Sequence, residues 1–119
     1  MDYTLAKQGS RSKAPVHDGV CFHCQQCAEK YLKALMEELG LTVPKTHYLD
    51  IPLRTLVPHY PGLASLRCGA LFLSIFAVGT RYPGRNASKR QALAALRWAT
   101  RVRTRARTEL GMGKPRRIK

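Results

Sequence analysis

Between Val20 and Leu39, apolar and small residues return at intervals of three and four: Val20, Cys21, Cys24, Cys27 with Ala28, Tyr31 with Leu32, Leu35 and Leu39. That interval is the helical one, and it gathers all of them onto one face. The stretch "CFHCQQCAEKYLKALMEELG" must therefore form an amphipathic helix that buries one side against other elements. Asp18 is a candidate N-cap, and Gly40 a C-terminal stop. The rest of the chain has to supply what covers that stripe.

It does so with more helices, because no alternation of period two appears anywhere. Residues 3–8 can start a helix that Gly9-Ser10 interrupts, and "SRSKAPVHDG" reads as a loop. After the short connection "LTVPKTH", Thr46 is placed to cap a segment with Leu49, Leu53 and Leu56 inward. Pro52 is expected to kink or break that segment, since proline lacks the amide donor. A further helix is predicted from about Leu63 to Thr80, with Leu63, Leu66, Ala70, Leu73 and Ala77 on one face. It is apolar nearly all round after Gly69, which points to burial on several sides or at a subunit interface. "RYPGRNAS" reads as a turn. Ser88 and Gln91 fit a capping box that opens a last helix running to Leu110, with Leu93, Leu96, Ala99, Val102, Ala106 and Leu110 inward, and Gly111 stops it. The expected architecture is all-α: a small antiparallel up-and-down bundle of four to five helices over residues 1–111. Residues 112–119 form a basic tail expected to be disordered. At 119 residues there is room for one core.

Cys21, Cys24 and Cys27 raise the question of a metal. Zinc takes four ligands in a tetrahedron, and structural sites draw them in pairs from separate elements. Here three thiols follow one another along a helix, and Cys68 or a distant histidine would have to complete the set. Iron–sulfur proteins place a comparable run on a loop with a fourth cysteine close behind. Cysteine is also a small residue that favours burial. The three are read as core positions, with no metal and no cofactor. No apolar run approaches the length of a membrane span, and the N-terminus lacks the apolar stretch of a signal peptide, so a reducing cytoplasm is expected.

Charge is distributed very unevenly. Residues 1–80 carry eight Lys/Arg against six Asp/Glu, whereas residues 81–119 carry thirteen against Glu109 alone. So basic a C-terminal third suits a polyanion. Arg97, Arg101 and Arg105, four residues apart, give one basic stripe on the last helix that can track a nucleic-acid backbone without reading its sequence. Trp98 lies beside the apolar stripe and is read as core or interface.

Taken in order, these segments are familiar. "CFHCQQCAEKYLKALMEELG", then "PKTH", then "TRYPG" and the capped helix "NASKRQALAALRWATRV" closely resemble the HEPN domain family. The family's first block usually reads Phe-His-Ala-Gln-Gln-Ala-Ala-Glu-Lys-x-Leu-Lys-Ala, with alanine where this chain has Cys24 and Cys27. The second block corresponds to Pro44, Lys45, Thr46, His47 and Leu49, and the third to Arg81, Tyr82, Pro83 and Gly84. The likeness extends over roughly residues 2–110. It implies a four- to five-helix bundle that usually forms a homodimer and is often encoded beside a minimal nucleotidyltransferase. Many such pairs act as toxin and antitoxin, with the HEPN chain a metal-independent ribonuclease. Other members are nucleotide- or RNA-binding modules.

The nuclease branch carries Arg-x(4–6)-His, in which histidine moves a proton and arginine stabilises phosphate charge. Arg54 to His59 and Arg11 to His17 have that spacing, but neither lies where the family keeps the motif. In that region stands Arg81-Tyr82-Pro83-Gly84, with no histidine after it. The catalytic residues are thus unassigned, with Arg81 and His23 as candidates and His47 as the other imidazole in play. His23, Gln26 and Lys30 share one side of their helix and, with Arg81 and Tyr82, can line a nucleotide- or RNA-binding groove, Tyr82 offering a stacking face. The leading expectation is a nucleotide- or RNA-associated module paired with a nucleotidyltransferase. A toxin ribonuclease is one alternative, and a non-catalytic basic module for nucleic acid or an acidic protein is the other.

Overall fold

The computed structural model describes residues 17–77 and 87–111. Four helices and a 3-10 segment make up this part: α1 (His17–Glu38), α2 (Asp50–Leu56), the 3-10 segment (Pro61–Leu66), α3 (Arg67–Ser74) and α4 (Lys89–Glu109). They form the expected helical bundle, with no strand among the described residues.

The two long helices make the most extensive pairing. They run in the same direction. At one end, Asp18 on α1 accepts a hydrogen bond from the Ala87 amide just before α4. At the other, Tyr60 feels the charges of both Glu109 and Glu38. Asp18 thus lies inside the first turn of α1 and ties two helix starts together. The 3-10 segment and α3 run back against α4: Gly62 lies against Arg105, and Gly69 against Trp98. Helix ends obey local chemistry. Ser88 Oγ accepts from the Gln91 amide and Gln91 Oε1 from the Ser88 amide, at 3.0 and 2.9 Å, which completes the capping box. Gly40 and Gly111 close their helices with φ of +71° and +77°, a region that costs glycine nothing.

Three expectations about the helices need correction. Pro52 does not break α2. It sits within the first turn, where a backbone N–H has no intrahelical partner to lose, and its ring is buried. On α4 the inward row is Ala92, Ala95, Ala99, Val102 and Ala106, whereas Leu93 is exposed and Leu96 only half-buried. Two apolar rows overlap in that sequence, and the smaller one wins because α1 offers it a row of equally small residues, Cys21, Cys24 and Ala28. Small side chains on both rows allow close backbone approach. The larger ones, Leu32, Leu35, Leu49, Leu53, Leu63 and Leu73, fill the space towards α2 and α3. The helix predicted from Leu63 to Thr80 divides at Leu66 into the 3-10 segment and α3. Its five inward residues are all buried, but Leu71 and Ile75 are exposed.

The cysteines occupy core positions. Burial first, and then the Asp18 charge, pushes the Cys21 thiol up to about 12. Burial first, and then Cys21 and Cys27, does the same to Cys24. Cys27 is also buried, and Cys68 alone is exposed. Because the thiolate is the reactive species, the native protein is expected to release one prompt equivalent with a thiol-specific reagent and four after unfolding. Cys68→Ser should abolish the prompt phase. A prompt phase of three or four would contradict this packing.

Candidate functional site

The described residues hold two chemically distinctive regions. The first begins with Gln25, a polar side chain placed on the apolar side of α1 and fully buried there. Such a group is costly unless bonded. Its Nε2 donates to Glu29 Oε1 at 2.9 Å and to the His47 carbonyl at 2.8 Å, while Gln26 Nε2 donates to Gln25 Oε1 at 2.7 Å. Glu29 also accepts from Lys33 Nζ at 2.9 Å through Oε2, and His47 Nδ1 lies 2.9 Å from Oε1. Burial alone would push the Glu29 carboxyl up. The hydrogen bonds from Lys33, His47 and Gln25, with the Lys33 charge, outweigh burial and hold it below its ordinary value.

The connection from α1 to α2 is fixed so that His47 can reach this carboxylate. Thr46 does not cap α2 as expected, since the N-cap is Leu49 with no side-chain bond; its Oγ1 accepts instead from the Tyr48 amide at 3.1 Å, within the connection. The Leu49 amide donates to Ser74 Oγ at 2.9 Å, and that hydroxyl donates to the Ala70 carbonyl at 2.7 Å. An ionised carboxylate only accepts, so Nδ1 of His47 carries the hydrogen, and in the neutral ring Nε2 keeps its lone pair. The ring is about half-exposed, at 52%. The arrangement can hold an imidazole with a basic nitrogen away from Glu29.

The second region is the outer side of α4. Arg97, Arg101 and Arg105 are all exposed, and among the described residues no carboxylate lies within ion-pair distance of any of them. Four residues of helix rise about 6 Å, so the three charges form a short, evenly spaced ladder. The Arg101 guanidinium lies over the Trp98 ring, 4.7 Å from its centroid. Arg105 lies across Gly62. Between α4 and the 3-10 segment is a groove of about 320 Å³, lined among others by Ser65, Thr100, Arg101, Thr104, Arg105 and Thr108.

Of the residues expected to line a ligand groove on α1, Gln26 joins the Gln25–Glu29–His47 network. His23 packs edge-on against Phe22, ring centroids 5.6 Å apart, and Lys30 is exposed. Arg81 and Tyr82 lie outside the described residues, as do Arg11 and the residues of the basic tail. Arg54 is exposed and pairs with Asp50 at 3.3 Å. Three participants were not singled out by motif: Gln25, Glu29 as the anchor of His47, and the threonine row beside the arginines. Each left a trace in the sequence. Gln25 interrupts the apolar stripe between Cys24 and Cys27, and Thr100, Thr104 and Thr108 repeat at four.

Comparison with known proteins gives one match: the family model for the HEPN domain covers residues 3–109. No curated protein and no solved structure shows a comparable match. No helix among the described residues is long and apolar enough to cross a membrane.

Proposed function

Because the chain belongs to the HEPN domain family and so among nucleotide- and RNA-related modules, we propose that it binds RNA through the phosphate backbone and works in the cytoplasm as a homodimer with a nucleotidyltransferase partner. The observation that carries this reading is the exposed row Arg97, Arg101 and Arg105 on a helix segment whose only carboxylate is Glu109. Cations without acidic neighbours keep their full attraction for phosphate, and a regular row engages a strand without reading its bases. Leu71, exposed on α3, and Ile75, exposed just after it, support a second copy as the cover for that face. Minimal nucleotidyltransferase pairing rests on the family alone.

The test is binding of a labelled single-stranded RNA over a range of salt. Three neutralised phosphates give a slope of about −2 in log affinity against log salt, and each Arg→Gln change in the row should flatten it by roughly 0.7. Binding that ignores salt and these substitutions would overturn the reading, and equal affinity for an acidic protein would select the non-catalytic alternative.

A second reading, an endoribonuclease, is favoured by the way Glu29 holds His47 with Nε2 outward. Incubation with cellular RNA and chelator decides it. Cleavage lost in His47→Ala and in Arg81→Ala selects a nuclease built on His47. Cleavage lost instead in His23→Ala moves the imidazole to α1, and intact RNA leaves a binding module.

A further inference from the structure

We propose that the groove between the 3-10 segment and α4 is a phosphate-binding site, and that its occupancy is transmitted to Trp98 through Arg101. The proposal rests on the reading of the α4 face as RNA-binding and narrows it to one seat. Arginines in an exposed row need not define a place for any one phosphate. Here two of them, Arg101 and Arg105, stand on one wall of an open groove with hydroxyls on both sides. Arg105 is set in position by lying against Gly62: a methyl at that glycine would come 3.1 Å from the guanidinium carbon. A longer residue would push the guanidinium off the wall.

The hydroxyls have distinct states. Thr100 Oγ1 donates to the Leu96 carbonyl at 2.8 Å, Thr108 Oγ1 to the Thr104 carbonyl at 2.9 Å, and Ser65 Oγ to the Gly62 carbonyl at 3.1 Å. Thr104, between them, makes no side-chain hydrogen bond among the described residues. Its hydrogen is the one available to an incoming phosphate oxygen without breaking an existing bond. Two guanidinium donors and one hydroxyl donor suit an oxyanion, which only accepts. No carboxylate lines the groove to oppose one.

Arg101 is shared between two partners. It covers the ring of Trp98, the single tryptophan of the chain, and it borders the groove. A phosphate forms stronger, directed bonds to guanidinium than an aromatic face does. Binding therefore draws Arg101 towards the groove and changes the environment of the indole. The ligand is a phosphate group, either of an RNA strand or of a small polyphosphate.

Intrinsic fluorescence of the full chain, titrated separately with a uridylate oligomer and with pyrophosphate, tests this, while anisotropy of labelled RNA follows binding independently. A saturable change in Trp98 emission is expected. Arg105→Gln should weaken it about tenfold and Thr104→Val roughly fivefold, with Arg54→Gln, an exposed arginine on α2 away from the groove, leaving the pyrophosphate response unchanged. A response to both ligands marks a general phosphate seat. A response to the oligomer alone ties it to a strand, and a response to pyrophosphate alone, without RNA anisotropy, keeps the site and removes the RNA reading. RNA binding with a silent Trp98, or with Arg105→Gln and Thr104→Val titrating as the unaltered protein, overturns the groove proposal and leaves that reading standing.

Discussion

Gly69→Ala is expected to lower the melting temperature by about 10 °C, from a loss of roughly 2 kcal/mol. On helix propensity alone the opposite sign is expected, because alanine favours a helix interior over glycine by about 1 kcal/mol. The reason for the reversal is Trp98. Gly69 is buried on α3, and a methyl there would stand 2.8 Å from Cγ of the indole, and nearer still to Cδ2 and Cε3. Those are atoms of a rigid bicyclic ring, so a small side-chain adjustment does not relieve the clash. The ring must leave or the helices must separate. Trp98 is only half-buried, so it can swing outward, giving up its packing on α3 and its contact with Arg101. Thermal unfolding followed by circular dichroism measures the loss, and a red shift of the Trp98 emission reports the ring's departure. The double variant Gly69→Ala with Trp98→Leu should recover part of the stability lost by the sum of the two changes. A higher melting temperature for Gly69→Ala would show that the indole does not pack on this glycine.

Gly69 also shows what a sequence can and cannot disclose. The apolar period of α1, the capping box at Ser88 and Gln91 and the stop at Gly111 are local signals, and each is realised as read. They act within a turn or two of helix, where the chain's own spacing decides the outcome. The inward row of α4 was not legible in the same way. Leu93 and Leu96 carry more hydrophobic area than Ala92 and Ala95, and only the small residues on α1 decide for the alanines. That information lies some seventy residues away in the chain. Pro52 is a similar case: its effect depends on whether a helix starts three residues earlier or later. Among functional candidates, the exposed arginine row was legible because charge and period four are both local. The bond between Glu29 and His47 was not, since it joins residues eighteen apart through a connection whose course is set by Thr46 and Ser74. Glu29 to Lys33 therefore reads as an ordinary helix pair, while the structure makes the carboxylate the hub of three side chains.

Glu29→Ala is expected to cost about 3 kcal/mol at neutral pH, and Glu29→Gln less than half of that. Alanine removes an acceptor used by Gln25, His47 and Lys33 together. The greatest share falls on Gln25, because its amide is fully buried and cannot turn to water for the lost bond. Lys33 and His47 are partly exposed and recover solvation, which limits their shares. Glutamine keeps one carbonyl oxygen for Gln25 and His47 and gives up only the charged bond to Lys33. The two variants also separate in their response to acid. Glu29 has a folded pKa below its ordinary value of 4.5. Its contribution is therefore complete above 4.5, shrinks as pH falls through the folded value, and vanishes once the carboxyl is protonated in both states. Urea unfolding from neutral pH down to about pH 3 should show the gap between the unaltered protein and Glu29→Gln closing over that interval, with the variant's own curve flatter there. A gap independent of pH would mean that the carboxylate's charge contributes nothing and that only its shape is used. Equal stability of Glu29→Ala and the unaltered protein would remove the network from the fold altogether. Because Glu29→Gln is expected to keep His47 bonded, its effect on any RNA cleavage reads the charge behind the imidazole apart from the imidazole's position: lower cleavage with intact folding assigns Glu29 to the chemistry, and unchanged cleavage assigns it to the scaffold.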